Sequence, residues 1–418
     1  MGTLKSLRSF PMSVRLLLIN QFTVDFGFYL LIPYLATHLG RDLGMSTALV
    51  GVVLGVRNLC SQSLFVLGGS AADRLGAHRV IPCGCVLRTV GFGLFAFGEG
   101  TWVVLVASAL SGLSAALFYP SARAYLAVEA RERSAEAFGL LNIFETAGGL
   151  LGLVLGSLLF LVNFKACALA ATSLFAVLTV AQMFALPAHK VSPSRAGVLA
   201  DWREAFGNRS FMAFAATMVG MATLQNQMYL LMPEGARRAS GWDGASGLPP
   251  TLGTIANLVF QLRITRFVQA RGGPARWVGP GLALMGLGFV PPALVADLRD
   301  PPDASAAVLR TLPLAAGVCL MYLGLMVAQP AVMELIPRFG REELTGTYFG
   351  LFYVFSGAAC AGGNFVIGWA MDIGRHSGHE WLPWACCVAF GLTSAVGTLC
   401  LRSLRALPGE PEGALSAA

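Results

Sequence analysis

Four ionisable residues stand alone within long apolar runs of the chain: Asp25, Arg57, Arg88 and Glu145. A charge placed in such a run is costly to bury unless it is paired or reached by water. Two acids and two bases balance, so one interpretation is that Arg57 and Arg88 are buried charge partners of the carboxylates. A carboxylate whose neighbours change between two conformations can also carry a proton. Asp25 and Glu145 are therefore candidate proton-coupling residues.

A short charged stretch at 69–79 separates two further apolar runs. Asp73 and Arg74 cannot lie in lipid, so they indicate a membrane surface. Gly69 and Gly76 allow close approach and positive φ. An aspartate at a helix end can cap a neighbouring helix N-terminus and interact with its dipole. The alternative is an ordinary charged turn that only sets topology.

The pattern G-x-x-x-D-R-x-G-x-x-R in this stretch is formed by Gly69, Asp73, Arg74, Gly76 and Arg79. It resembles the loop between spans 2 and 3 of the major facilitator superfamily. In that family the loop latches the cytoplasmic side of the two halves together when the carrier faces outward. The resemblance therefore implies that these five residues form a conformational latch.

A second pattern consists of glycines in the fifth apolar run: Gly139, Gly148, Gly152 and Gly156. The last three are spaced by four residues, so they line one helix face and allow another helix to approach closely. The run resembles the motif of the twelve-span drug:proton antiporters, with Leu153 in place of the usual proline and Ser157 in place of the last glycine. The resemblance implies packing between the two halves, and generic small-residue packing is the alternative. Within the family, the segments 55–57, 87–92 and 145–148 resemble the MdtH-type multidrug exporters.

The elements that carry these residues follow from composition. Of the 418 residues, 56% are hydrophobic and 12% charged, and the mean hydropathy is +0.67. Soluble domains carry about twice that charged fraction, roughly 25%. Many apolar runs reach the ~20 residues that cross a bilayer as a helix. The predicted spans are 14–37, 47–71, 80–98, 101–125, 138–162, 165–186, 209–233, 247–270, 275–296, 308–335, 344–371 and 381–402.

An internal repeat divides these spans into two sets. The segment 138–144 is echoed by 349–355, so spans 4–5 correspond to spans 10–11. Parallel repeats of this kind build transporters from two similar halves. The predicted fold is all-α: twelve transmembrane helices in two pseudo-symmetric six-helix bundles. The predicted divisions are an N-terminal bundle at 1–186, a cytoplasmic linker at 187–208, a C-terminal bundle at 209–403 and a cytoplasmic tail at 404–418.

Most of the 29 Lys and Arg residues lie in the leader, the tail and alternate loops. This asymmetry predicts that both termini are cytoplasmic in a multi-pass protein of the inner membrane. The net charge of +7 does not cluster on one element, which argues against nucleic-acid binding. The nine cysteines lack metal-ligand spacing, and neither a phosphate-binding loop nor a catalytic set occurs. We therefore expect no metal, no cofactor and no enzymatic activity.

Spans 1, 4, 7 and 10 line the central cavity in the family that this chain resembles. The predicted cavity residues on them are Gln21, Tyr29, Phe118, Asn226, Tyr229, Tyr322 and Gln329. The predicted function is proton-coupled export of an apolar or cationic small molecule by alternating access. Proton-coupled uptake of a polar nutrient and a non-transporting membrane receptor or assembly factor are the alternatives. The expected partners are the small-molecule substrate, protons and membrane lipids, and we expect a monomer.

Overall fold

The computed structural model describes residues 3–98, 100–130, 133–185, 197–298, 301 and 303–408. All the regular elements in this part of the chain are helices, and it contains no strand, so the predicted all-α class is confirmed. The predicted linker lies outside the described residues as far as residue 196, and so does the predicted tail from residue 409.

Eighteen α-helices follow one another in the described residues. The first nine are α1 (Thr3–Arg8), α2 (Met12–Thr37), α3 (Thr47–Ser63), α4 (Phe65–Leu75), α5 (Ala77–Phe97), α6 (Thr101–Ala130), α7 (Ser134–Phe160), α8 (Phe164–Ala185) and α9 (Val198–Gly207). The others are α10 (Arg209–Thr217), α11 (Val219–Asn226), α12 (Leu231–Ser240), α13 (Leu248–Ala270), α14 (Pro274–Leu287), α15 (Val290–Ala293), α16 (Ala304–Leu335), α17 (Thr345–Ser377) and α18 (Leu382–Ser403).

Short polar side chains begin several of these helices. Ser46, Asn208 and Asp303 each accept a hydrogen bond from the backbone amide three residues further on, at 3.3, 3.0 and 2.7 Å respectively. The amides of a first helical turn have no carbonyl partner inside the helix, so a side-chain oxygen stabilises the start. These residues therefore determine where α3, α10 and α16 begin.

The described helices group into two compact units. The first comprises Met1–Phe206 together with Gly340–Val354, and the second comprises Gly207–Phe339 and Phe355–Ala418. The division near Phe206 lies close to the predicted linker, whereas the start of α17 groups with the first unit rather than with its own half. That each half folds as a six-helix bundle stays a prediction.

Eight helices in the described residues are long and apolar enough to cross a membrane. The pair α3 and α4, bent by 44° at Leu64, would form a ninth. The predicted spans 7 to 9 correspond to elements that do not meet these criteria. Span 7 is divided into α10, α11 and α12, and span 9 is divided into α14 and α15. Span 8 corresponds to α13, which is long enough but contains Arg263, Arg266 and two buried amides.

The interruption of span 9 has an identifiable cause. Pro291 and Pro292 lie in the first turn of α15 and have no amide hydrogen to donate to the preceding turn. The helix α14 therefore ends at Leu287, and α15 starts at Val290. The break cannot be recognised from hydropathy, because proline and glycine within an apolar segment do not change its overall apolar character.

Most of the charged stretch at 69–79 is helical, and the turn within it is shorter than we expected. Helix α4 continues to Leu75 and α5 begins at Ala77, so Gly76 alone makes the connection. Its φ is +84°, a conformation that side-chain-bearing residues rarely adopt. Asp73 and Arg74 consequently lie on the last turn of α4 rather than in a loop.

The glycine stripe of α7 packs against α2. A Cβ on Gly148, Gly152 or Gly156 would lie 2.4, 2.2 or 2.7 Å from a carbonyl oxygen of that helix. Gly139 is buried at the other end of α7. The contact lies inside the first unit, which corrects the predicted partner of the stripe. Spacing by four residues allows close approach but does not specify which helix approaches.

Candidate functional site

Asp73 lies beside the first turn of α17 and accepts three hydrogen bonds there. Its Oδ1 accepts from the Gly346 amide at 2.7 Å, and its Oδ2 accepts from the amide and the hydroxyl of Thr347, each at 2.7 Å. First-turn amides lack partners within their own helix, and the helix dipole favours a negative charge at this end. Asp73 therefore caps a helix that is remote in sequence, and it is almost completely buried there.

Glycines on both helices permit this contact. A Cβ on Gly69 would lie 1.9 Å from the carbonyl oxygen of Gly346. A Cβ on Gly346 would lie 2.4 Å from the Gly69 carbonyl oxygen and 2.7 Å from Oδ1 of Asp73. Real Cβ atoms do not approach other atoms so closely, so any larger residue at either position must separate α4 from α17. The cap on α17 thus depends on glycine as much as on the carboxylate.

Two other residues of the predicted latch are placed differently. Arg74 Nη2 donates to Oδ2 of Asp201 in α9 at 2.5 Å. Arg79 lies on the first turn of α5 and is exposed. The arginine that follows the capping aspartate therefore contacts a helix that lies within the predicted linker.

A second group of charged residues lies inside the first unit. Asp25 in α2 is 7% exposed and accepts from Gln21 Nε2 at 2.7 Å and from the Tyr119 hydroxyl at 3.2 Å. Both of these partners are uncharged. Since a buried carboxylate is costly without a cation, Asp25 is a residue at which gain of a proton removes an unfavourable charge.

Glu145 in α7 forms an ion pair with Arg123 in α6 across 2.5 Å. The guanidinium carbon of Arg123 lies 5.1 Å from the ring centre of Tyr119 and 5.3 Å from that of Tyr353, so both rings provide cation–π contacts. Because Tyr119 also donates to Asp25, the two carboxylates belong to one connected set of contacts. We call this set the membrane cluster; its members are Gln21, Asp25, Tyr119, Arg123 and Glu145.

The positions of Arg57 and Arg88 differ from the predicted pairing with these carboxylates. Arg57 is partly buried, and its Nη2 donates to Asn58 Oδ1 at 2.6 Å. Arg88 is 1% exposed; its Nε donates to Ser114 Oγ at 3.0 Å, and its guanidinium lies 5.3 Å from the Phe175 ring centre. Within the described residues, the two terminal nitrogens of Arg88 have no hydrogen-bond partner. A balance of charge in the sequence does not specify which helices are neighbours.

Another cluster of charges lies in the second unit, beside a cavity of about 1170 Å³. Glu234 in α12 pairs with Arg237 and Arg238, each at 2.9 Å, and with Arg375 at 3.5 Å, while Arg238 also pairs with Glu380. Burial alone would raise the pKa of Glu234, but hydrogen bonds from both neighbouring arginines hold it below its ordinary value. Glu234 therefore stays ionised in a moderately acidic medium, and this cluster is a poor proton carrier.

Comparison with known sequences identifies the family of this chain. Residues 17–401 match the model of the Major Facilitator Superfamily. The chain belongs to the major facilitator superfamily. It is 34% identical over 408 residues to an uncharacterized MFS-type transporter of Mycobacterium tuberculosis, with 95% of each chain covered. It is 28% identical to the multidrug resistance protein MdtH of Yersinia enterocolitica, with 91% of this chain and 92% of the relative covered.

Solved structures of superfamily members have the same fold. The human organic anion transporter MFSD10 superposes with a TM-score of 0.70 at 16% identity, covering 93% of this chain and 99% of the other. The Escherichia coli fucose:proton symporter FucP superposes with a TM-score of 0.71 at 14% identity, covering 92% and 98%. These superpositions confirm the major facilitator fold. Membership of the family makes the chain a multi-pass membrane transporter and not an enzyme.

Arg123 is the charged member of the membrane cluster that the sequence analysis does not include. It lies two residues before the predicted end of span 4, so it was assigned to the following loop with the other basic residues. Helix α6 continues to Ala130 and carries Arg123 into the interior, where it is 7% exposed. Its spacing of four residues from Tyr119 was the available signal, because residues four apart on a helix share a face.

The predicted cavity residues lie in both units. In the first, Gln21 and Phe118 are buried, and Tyr29 is 37% exposed. In the second, Asn226 ends α11, Tyr229 is 71% exposed, Tyr322 packs on Gly253, and Gln329 has a buried Oε1 without a partner among the described residues. Only Gln21 joins the membrane cluster. That the seven residues line one substrate cavity stays a prediction.

Proposed function

We propose that this transporter is a proton-coupled exporter of apolar or cationic small molecules. The observation that carries the proposal is the membrane cluster, in which Asp25 is buried against uncharged partners while Glu145 is held by Arg123. The names of the relatives add support, since several of them are multidrug resistance proteins. Protons entering the cell down the membrane potential release ~2.3 kcal/mol per charge per 100 mV, enough to drive export.

The two carboxylates have different roles in this proposal. Asp25 binds the proton or a cationic substrate, because nothing in its hydrogen-bonding shell neutralises it. Glu145 is the coupling residue, because protonation would release Arg123 from its ion pair. Gaining a proton at either carboxylate changes the charge of the interior, and so biases the equilibrium between two transporter states.

The Asp73 cap is the conformational latch in the same proposal. Its three hydrogen bonds hold α4 against the start of α17. In alternating access, the substrate site opens to one side of the membrane at a time, so contacts at each end must form and break. A cap that joins the N-terminal half to α17 is suited to stabilise one of the two states. Gly69, Arg74, Gly76 and Arg79 complete the proposed latch.

Transport by the purified protein in liposomes tests the proposed function. With an acidic interior, a lipophilic cationic dye such as ethidium should accumulate inside against its own gradient, because each entering dye molecule exchanges for leaving protons. Nigericin, which collapses the pH gradient, should abolish accumulation, and protein-free liposomes give the background. Accumulation only when the exterior is acidic would instead indicate symport, and no protein-dependent movement of cationic or neutral dyes would contradict the proposed substrate class.

We further propose that the protein lies in the cytoplasmic membrane with both termini inside. Single cysteines near Arg74, Arg133, Arg203 and Arg271, introduced into a variant without native cysteines, should resist a membrane-impermeant maleimide added to intact cells. A cysteine near Arg41 should react. Labelling at Arg203 from the outside would contradict the orientation and the twelve-span topology together.

A further inference from the structure

Helix α9 lies within the predicted linker at 187–208, and all of it except Gly207 belongs to the first unit. On one face of its ten residues, Asp201 and Ala205 are 3% and 0% exposed. Residues four apart on a helix share a face, so this face is the docked one. Segments that only connect two domains normally remain exposed to solvent, so a buried aspartate in α9 indicates that this helix does more than connect.

Three polar side chains of α9 bind residues at or beside the Asp73 cap. Asp201 accepts from Arg74, the residue that follows Asp73, at 2.5 Å. The indole nitrogen of Trp202 donates to Ser70 Oγ at 2.7 Å. Glu204 accepts two hydrogen bonds from Arg341, at 3.0 and 2.5 Å. Since Arg341 precedes α17, α9 contacts both of the segments that the Asp73 cap joins.

The contact of Trp202 continues into the cap as a directed chain of hydrogen bonds. Thr347 donates its hydroxyl hydrogen to Asp73, so in the 3.1 Å contact between the hydroxyls of Ser70 and Thr347 the donor must be Ser70. Ser70 in turn accepts from Trp202. Every hydrogen therefore points from α9 towards the carboxylate, and aligned hydrogen bonds strengthen one another.

We infer that α9 is a positioning element of the latch: Asp201 and Trp202 hold Arg74 and Ser70 so that Asp73 caps α17. The inference rests on the proposed role of the Asp73 cap in the transport cycle. Asp201 and Trp202 bind Arg74 and Ser70, which lie beside Asp73, so their proposed effect on transport is exerted through the cap. The covalent linker between the two halves thereby gains a role in setting the stability of one transporter state.

Hydrogen exchange at the start of α17 tests the inference without relying on transport. In Asp201→Asn and Trp202→Phe, the amides of Gly346 and Thr347 should exchange roughly two- to tenfold faster than in the unaltered protein, the effect of losing one or two hydrogen bonds. Ser70→Ala should match Trp202→Phe, and the double variant Ser70→Ala/Trp202→Phe should be no worse than either, because both substitutions break the same chain of hydrogen bonds. Trp242→Phe, at an indole that is 63% exposed, is the matched control.

Transport supplies the second measurement. The maximal rate of dye transport should fall in Trp202→Phe and Asp201→Asn while the half-saturating dye concentration stays unchanged, and Asp201→Glu should restore part of the rate. Unchanged exchange at Gly346 and Thr347 in both variants would overturn the inference. Faster exchange with no dye transport even by the unaltered protein would retain the link between α9 and the cap and contradict the proposed function instead.

Discussion

Asp73→Asn should abolish transport while leaving the amount of protein in the membrane near normal. Asparagine has the same size, but an NH2 group replaces one carboxylate oxygen. Each oxygen of Asp73 accepts from a backbone amide, so in either rotamer one amide of Gly346 or Thr347 faces another donor. An orphaned buried donor costs about 1–3 kcal/mol. The capped state should thus become less populated by roughly tenfold or more.

Membrane content and dye transport should be compared in parallel with two other variants. Asp372→Asn makes the same chemical change near the exposed end of α17 and should transport normally. Gly346→Ala leaves the charge in place but puts a Cβ 2.7 Å from Oδ1 of Asp73, so it should reproduce the defect. Normal transport by Asp73→Asn would contradict the latch and indicate that the segment at 69–79 only sets the topology.

The location of the cap could be predicted because its requirements are local. The sequence places a carboxylate, an arginine and two glycines at one membrane surface, and this pattern favours a helix cap with close approach. The resemblance to a family implied a latch between the two halves, but neither it nor any local pattern specified α17 as the helix that Asp73 caps. The contribution of α9 could not be predicted, because Asp201 and Trp202 read as ordinary polar linker residues until their contacts with Arg74 and Ser70 are known.

Other differences between the predicted and the observed structure also arise because a sequence pattern does not specify the three-dimensional neighbours or the exact ends of a helix. Hydropathy locates long apolar runs but not the breaks inside them, so α3–α4 and α14–α15 were each predicted as a single span. The glycine stripe of α7 indicates close packing without specifying α2 as its partner. Arg123 was missed because the end of a span is uncertain by several residues, and a shift of that size moves a charge from the surface to the interior.

Asp25→Asn and Glu145→Gln should both retain the fold and lose uphill transport, but they should differ in stability. In Asp25→Asn, the new NH2 group can donate to Gln21 Oε1, which is buried without a partner among the described residues, while the remaining oxygen still accepts from Tyr119. The variant therefore mimics the protonated state at little cost. Its thermal stability in detergent should stay near that of the unaltered protein.

Glu145→Gln leaves the Arg123 guanidinium buried without its carboxylate. Removing one partner of a buried ion pair costs about 3–5 kcal/mol. We expect a clearly lower melting temperature for Glu145→Gln and a partial recovery in the double variant Arg123→Gln/Glu145→Gln, which removes both charges. A similar melting temperature for Glu145→Gln and Asp25→Asn would contradict the assigned ion pair.

Two transport measurements separate coupling from binding. Exchange of labelled for unlabelled dye at equal concentrations needs no net proton movement, whereas accumulation against a gradient does. Asp25→Asn and Glu145→Gln should retain exchange and fail to accumulate dye, because neither side chain can then release a proton in one state and take one up in the other. Since the asparagine can still form one hydrogen bond with Gln21 and one with Tyr119, failure of Asp25→Asn would be attributable to the lost charge. If both single variants and their double variant accumulate dye at the rate of the unaltered protein, these carboxylates do not couple protons to export.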